Sequence, residues 1–132
     1  MHRRLAFAGI LVVALAAAAV PAFGKGGQVQ PYIGLNSPGN AASSQPALGT
    51  YVTFTTVVPN NVQNPRVEVL CYQNGALVYG ESGGTDWAFQ LGGASSLWLS
   101  NGGSASCVAN LYYFTSHSTT VYLATTSFDA TG

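Results

Sequence analysis

Beyond its first two dozen residues, the chain alternates apolar and polar side chains in short runs broken by Gly, Pro, Asn and Ser. That is the period of half-buried strands joined by turns, and no helical periodicity competes with it. The clearest run is "TYVTFTTVV", which puts Val52, Phe54 and Val58 on one face and Thr53, Thr55 and Val57 on the other. "PYIGLN" before it predicts a first strand, and "SPGNAASSQPALG" between the two is loop chemistry throughout. "PNNVQNP" closes the strong strand, because Pro59 and Pro65 cannot donate to a ladder. "RVEVLCYQ" is the next strand, with Val67, Val69 and Cys71 on one face and Glu68, Leu70 and Tyr72 on the other. Asn74-Gly75 is the favoured type I′ pair, so "ALVYG" should fold straight back as a hairpin. "ESGGTD" then reads as a turn, "WAFQL" and "SLWLS" as two weaker strands, "ASCVANLYYF" as a long strand and "VYLATTSF" as the last. Short strands with turn signals every ~8–12 residues predict an all-β sandwich of two sheets rather than a closed barrel.

The first two dozen residues do not fit that pattern. Arg3 and Arg4 precede an apolar run from Leu5 to Val20, followed by the small residues Ala22 and Gly24. This is the order of a secretory signal peptide, with cleavage expected after Ala22 or Gly24. The competing reading is an uncleaved anchor, but the run has 16 residues, short of the ~20 that a spanning helix needs. The expected organisation is therefore a signal peptide at 1–24, a leader with first strand and loop at 25–49, and the rest of one domain at 50–132. The domain as a whole covers about 28–132, which is single-domain length.

Charge narrows the partners. Only 6% of the 132 residues are charged, against ~25% in an average soluble domain. Past residue 24, Lys25 and Arg66 stand against Glu68, Glu81, Asp86 and Asp129, two against four, a net of −2. Two basic residues cannot neutralise a phosphate backbone, which argues against nucleic acid and against an anionic membrane surface. Contact with a membrane is expected only through the signal peptide. High apolar and aromatic content with low net charge also separates the chain from disordered sequences.

Cys71 and Cys107 are the two cysteines. In an exported chain, a single pair most simply forms one disulfide. Both fall mid-strand on apolar faces, Cys71 with Val67 and Val69, Cys107 with Ala109 and Leu111. The bridge closes a loop of roughly 37 residues, for which chain entropy gives roughly 3–4 kcal/mol. A redox pair would need CxxC spacing or a basic neighbourhood, and the sequence has neither. Zinc would need four ligands, and only His117 could join the cysteines as a nitrogen ligand.

"PALGTYVTFTTVVP", "VEVLCYQNGALVYG" and "GGSASCVANLYYF" resemble the strands of secreted bacterial immunoglobulin-like or fibronectin-III-like modules. The resemblance implies an immunoglobulin-like sandwich of about seven or eight short strands. It departs from the antibody pattern in two places. Ala105 stands where a tyrosine would precede the second cysteine by two positions, and Trp87 follows Cys71 only after a tight hairpin. The resemblance therefore assigns Cys71 to a third, C-like strand and Cys107 to a sixth, F-like strand. Those strands are antiparallel neighbours, which implies a bridge within one sheet; a bridge between the sheets is the alternative.

Candidate chemistry is sparse. A glycosidase-type pair could be built only from Glu81 and Asp86, which flank a turn. A serine hydrolase would depend on His117 in the polar "TSHSTT" loop, without an evident orienting acid and without GxSxG. Asp86, Glu81 and Asn101 lack the close alternating spacing of a calcium loop. The chain is accordingly read as non-catalytic and without cofactor or metal. Binding is better supplied: the strand faces opposite the cysteines carry Leu70, Tyr72, Val108, Tyr112 and Phe114, with Tyr122 alongside. An apolar, tyrosine-bearing sheet face is either a protein or cell-surface contact or an ordinary half-buried surface, and both readings stay open. A carbohydrate module using Tyr79, Trp87 and Trp98 is the alternative, weighed against those tryptophans being core plugs or sheet-edge residues.

Overall fold

A computed structural model describes residues 29–36 and 45–132. The expected signal peptide, the start of the leader and part of the first loop lie outside them. The described chain forms eight strands and one short helix: β1 (Tyr32–Leu35), β2 (Tyr51–Val52), β3 (Phe54–Val57), β4 (Arg66–Gln73), β5 (Ala76–Gly84), β6 (Phe89–Gln90), α1 (Leu97–Asn101), β7 (Ala105–Phe114) and β8 (Thr120–Ala130). The long strands make one four-stranded antiparallel sheet in the order β5-β4-β7-β8. Two short antiparallel ribbons, β1-β3 and β2-β6, complete the β structure.

Turn chemistry explains the longest hairpin. Asn74 and Gly75 both take positive φ, 50° and 79°, as a type I′ turn requires, and β5 folds directly onto β4. The alternation of β4 and β7 then sorts their side chains. Val67, Val69, Cys71, Cys107, Ala109 and Leu111 form the inner face and are buried. Ile33, Val52, Phe54, Phe89 and Leu91 from the ribbon side of the molecule join them in one core cluster. The rings of Phe54 and Phe89 meet edge to face at 5.9 Å.

Three segments differ from the sequence expectation. "TYVTFTTVV" is not one strand but two, interrupted at Thr53. Val52 and Phe54 keep their inward alternation, yet β2 pairs with β6 and β3 with β1. The segment changes hydrogen-bonding partners without changing its buried face. "ESGG", expected in a turn, is the second half of β5, because β4 pairs along its whole length and carries Glu81 to Gly84 opposite Val69 to Arg66. Tertiary pairing outweighs the weak strand propensity of Ser and Gly here. Gly83 also has a steric reason: a Cβ there would lie 2.6 Å from Cγ of Trp87, whose ring folds back over the strand.

The third difference is "SLWLS", expected as a strand and found as α1. Ser96 caps the helix, its Oγ accepting from the Leu99 N–H at 3.2 Å, and Gly102 ends it at φ 63°. With Leu97 and Leu99 exposed around a buried Trp98, five residues read equally well as alternation. The caps, not the period, carried the signal. The Trp98 indole N–H donates to the Gly103 carbonyl at 2.8 Å, so the ring enters the core with its polar atom satisfied.

The disulfide joins Cys71 to Cys107, which are direct register partners on β4 and β7. It therefore lies within one sheet, and the alternative of a bridge between sheets falls. The Cα separation of 4.1 Å suits a close pair with no hydrogen bond between the two residues. Replacing both cysteines by alanine is expected to lower the unfolding free energy by roughly 3–4 kcal/mol. Urea unfolding would show this as an earlier midpoint with an unchanged native far-ultraviolet spectrum. An unmoved midpoint would mean that the bridge adds nothing to the sheet.

Candidate functional site

Counting outward from Cys71–Cys107, the antiparallel register places Leu70 beside Val108, Glu68 beside Asn110 and Arg66 beside Tyr112. These positions alternate with the buried ones, so they form the outer face of the four-stranded sheet. β8 adds Tyr122 opposite Tyr112, brought there by a register shift after Leu111. Tyr72 sits one pair beyond the disulfide, opposite Ser106. All six residues singled out for a binding face, Leu70, Tyr72, Val108, Tyr112, Phe114 and Tyr122, thus belong to β4, β7 and β8 of one sheet.

Three of them form an aromatic cluster. Tyr112 lies 5.6 Å from Phe114 and 6.0 Å from Tyr122, measured between ring centroids. Its neighbours cover it, leaving it 6% exposed, while Phe114 is 53% and Tyr122 61% exposed. The charged positions of this face are Arg66 and Glu68, with Asp129 at its far end opposite Ser106. The Glu68 carboxylate accepts a hydrogen bond from Asn110 Nδ2 at 3.0 Å. The same carboxylate pushes the Tyr122 hydroxyl above its ordinary pKa, chiefly through its charge. The Asn110–Glu68 hydrogen bond joins β7 to β4 and was missed in the sequence. Its signal was present all the same: once Cys71 pairs with Cys107, three steps outward on each strand bring Glu68 to Asn110.

The three aromatics of the sugar platform are arranged differently. Trp98 is wholly buried, Tyr79 nearly so, and only Trp87, 52% exposed, reaches solvent. Tyr79 and Trp98 lie 6.4 Å apart between ring centroids within the core, not on a surface. The Tyr79 hydroxyl donates to Glu81 Oε2 at 2.5 Å, and the Trp87 indole N–H donates to Glu81 Oε1 at 3.3 Å. Both carboxylate oxygens of Glu81 are therefore engaged, while Asp86 lies on the exposed turn beyond β5. Burial, then the hydrogen bond and charge of Glu81, push the Tyr79 hydroxyl well above its ordinary pKa.

His117 sits in the exposed turn after β7, where its backbone N–H is held by Thr115 Oγ1 at 3.3 Å. Among the described residues, no three His, Cys, Asp or Glu side chains gather to hold a metal ion. None of the described helices is long and apolar enough to cross a membrane. Comparison with protein-family models, with curated proteins and with solved structures returned no match to the chain.

The Tyr79 shift makes stability depend on alkaline pH with a definite sign. The folded chain keeps this proton where the unfolded chain has released it. The contribution is thus complete below the ordinary tyrosine value of about 10 and is lost as pH rises above it. Tyr79→Phe should flatten that loss. Urea midpoints for both proteins at about pH 8 and about pH 11 would measure it, and equal losses would contradict the assignment.

Proposed function

We propose that the chain is an exported, non-catalytic immunoglobulin-like module that associates with another protein at or outside the cell surface. The contact is made through the outer face of its four-stranded sheet. The observation that carries the reading is the stack of Tyr112, Phe114 and Tyr122 on a sheet face where two of the three rings are more than half exposed. Exposed aromatic rings on a rigid strand are the groups that most often anchor protein contacts, because they bury much area and lose little rotamer freedom.

The immunoglobulin-like reading is supported by strand order. β5-β4-β7-β8 corresponds to the C′-C-F-G order of such a sandwich, and the β1-β3 and β2-β6 ribbons take the place of its A-B and B-E pairings. The disulfide departs from the antibody type, since it joins the C-like and F-like strands of one sheet. Export is supported by that disulfide, which persists in oxidising compartments, and by the basic, apolar, then small-residue order of positions 1–24. The sugar-binding alternative on Tyr79, Trp87 and Trp98 lacks a shared exposed surface.

The test is affinity capture from the native cell surface and culture supernatant with the exported protein as bait. Sedimentation equilibrium over a concentration series tests the case in which the partner is a second copy. The wild-type protein should retain a partner or self-associate. Phe114→Ser with Tyr122→Ser should lose that association at least about tenfold, or ~1.4 kcal/mol, while its thermal midpoint stays within a few degrees. Undiminished association by the double variant would remove the outer face from the function.

A further inference from the structure

A second surface feature lies at the end of the sheet, away from the aromatic stack. The β4–β5 turn, the last residue of α1, the start of β7 and the end of β8 surround an open groove of about 900 Å³. That is within the size range of small-ligand sites. Its lining includes Tyr72, Asn74, Asn101, Ser106 and Asp129, with Leu97 on the helix side. Among the described residues, no Lys, Arg or His lines it, and Asp129 is the one carboxylate in the lining.

One of the lining groups is held in place by the fold. Gln73 Nε2 donates to the carbonyls of Gly102 at 2.7 Å and Ser104 at 3.1 Å, and Gln73 Oε1 accepts from Asn101 Nδ2 at 3.2 Å. Gln73 therefore spends its hydrogen-bonding capacity on positioning. Asn101 spends one N–H on Gln73 and keeps its carbonyl oxygen and second N–H for a ligand. Asn74 is set on the type I′ turn by its backbone at φ 50°.

The geometry points to a binding site for a neutral oligosaccharide in this groove. Planar amides carry donor and acceptor side by side, which matches neighbouring sugar hydroxyls, each of them both donor and acceptor. Tyr72 and Leu97 supply apolar surface for the C–H face of a pyranose ring. Acidic sugars, phosphates and anionic lipids would find no cation in the lining and a carboxylate opposing them. The modest apolar lining does not suit a lipid chain. The site lies apart from the Tyr112–Phe114–Tyr122 stack of the outer-face association and meets that face only at its far end, at Tyr72, Ser106 and Asp129.

The experiment is an amide-resolved NMR titration of the disulfide-bonded domain with maltotriose, cellotriose and chitotriose, using trigalacturonate as the acidic control. At least one neutral sugar should give saturable shifts at Gln73, Asn101 and Ser106 with a Kd of about 1 mM or tighter. Asn101→Ala combined with Asn74→Gly, which keeps the turn, should weaken it at least about tenfold. Phe114→Ser with Tyr122→Ser should leave it unchanged. The site is wrong if no neutral sugar saturates, if trigalacturonate binds more tightly, or if the shifts map to Phe114 and Tyr122. A loss of protein capture with intact sugar binding would overturn only the outer-face reading.

Discussion

The pairing of β4 with β7 is the constraint on which the rest of the molecule depends, and the Cys71–Cys107 bridge makes it covalent. In a strand, a slip of one residue would send every side chain to the opposite face. A bridge between directly opposed residues forbids that slip. It holds Val67, Val69, Ala109 and Leu111 inward and leaves Glu68, Leu70, Val108, Asn110 and Tyr112 outward. β5 and β8 then extend an already registered pair on either side.

With so few charges, the protein satisfies its polar groups through neutral side chains and backbone. No buried side-chain nitrogen or oxygen among the described residues lacks a hydrogen-bond partner. The edge strand β5 illustrates how this is done. Glu81, the register partner of Val69, shares its face at the sheet margin, bonded by Tyr79 and Trp87, and Trp87 lies against Gly83. A charged residue at that position and a bulky ring over the strand both discourage another chain from adding to this edge. At the other margin, Thr131 exchanges hydrogen bonds with the segment around Pro46 and Leu48, so the end of β8 is tied to the chain before β2.

Two kinds of surface result from this frame. The outer sheet face is aromatic, with the Glu68 carboxylate at mid-sheet bound by Asn110. The groove at the sheet end is lined by amides, hydroxyls and a single carboxylate, ordered by Gln73. Both rest on strands or on turns hydrogen-bonded to them. Titratable groups are scattered instead: Glu81 is engaged by Tyr79 and Trp87, Asp86 lies on an exposed turn, and His117 sits in a separate loop.

Period-two alternation was enough to place β4, β7 and β8 in the sequence, and Asn74-Gly75 to place the hairpin. Each depends on neighbours a few residues apart. Five of the six outer-face residues were legible for the same reason, since strand parity puts them opposite the cysteines; Tyr122 joins them only through the register shift after Leu111. Other features depend on partners distant in the chain. "ESGG" is a strand only because β4 lies beside it, and Thr53 divides two strands because different ribbons claim its neighbours. Trp98 is a core residue because a capped single turn of helix, not a strand, delivers it inward. The amide groove gathers residues of β4, its turn, α1, β7 and β8. Local side-chain pattern determines which face of a strand is apolar; only the folded chain decides which strands meet and which polar groups thereby come within hydrogen-bonding reach.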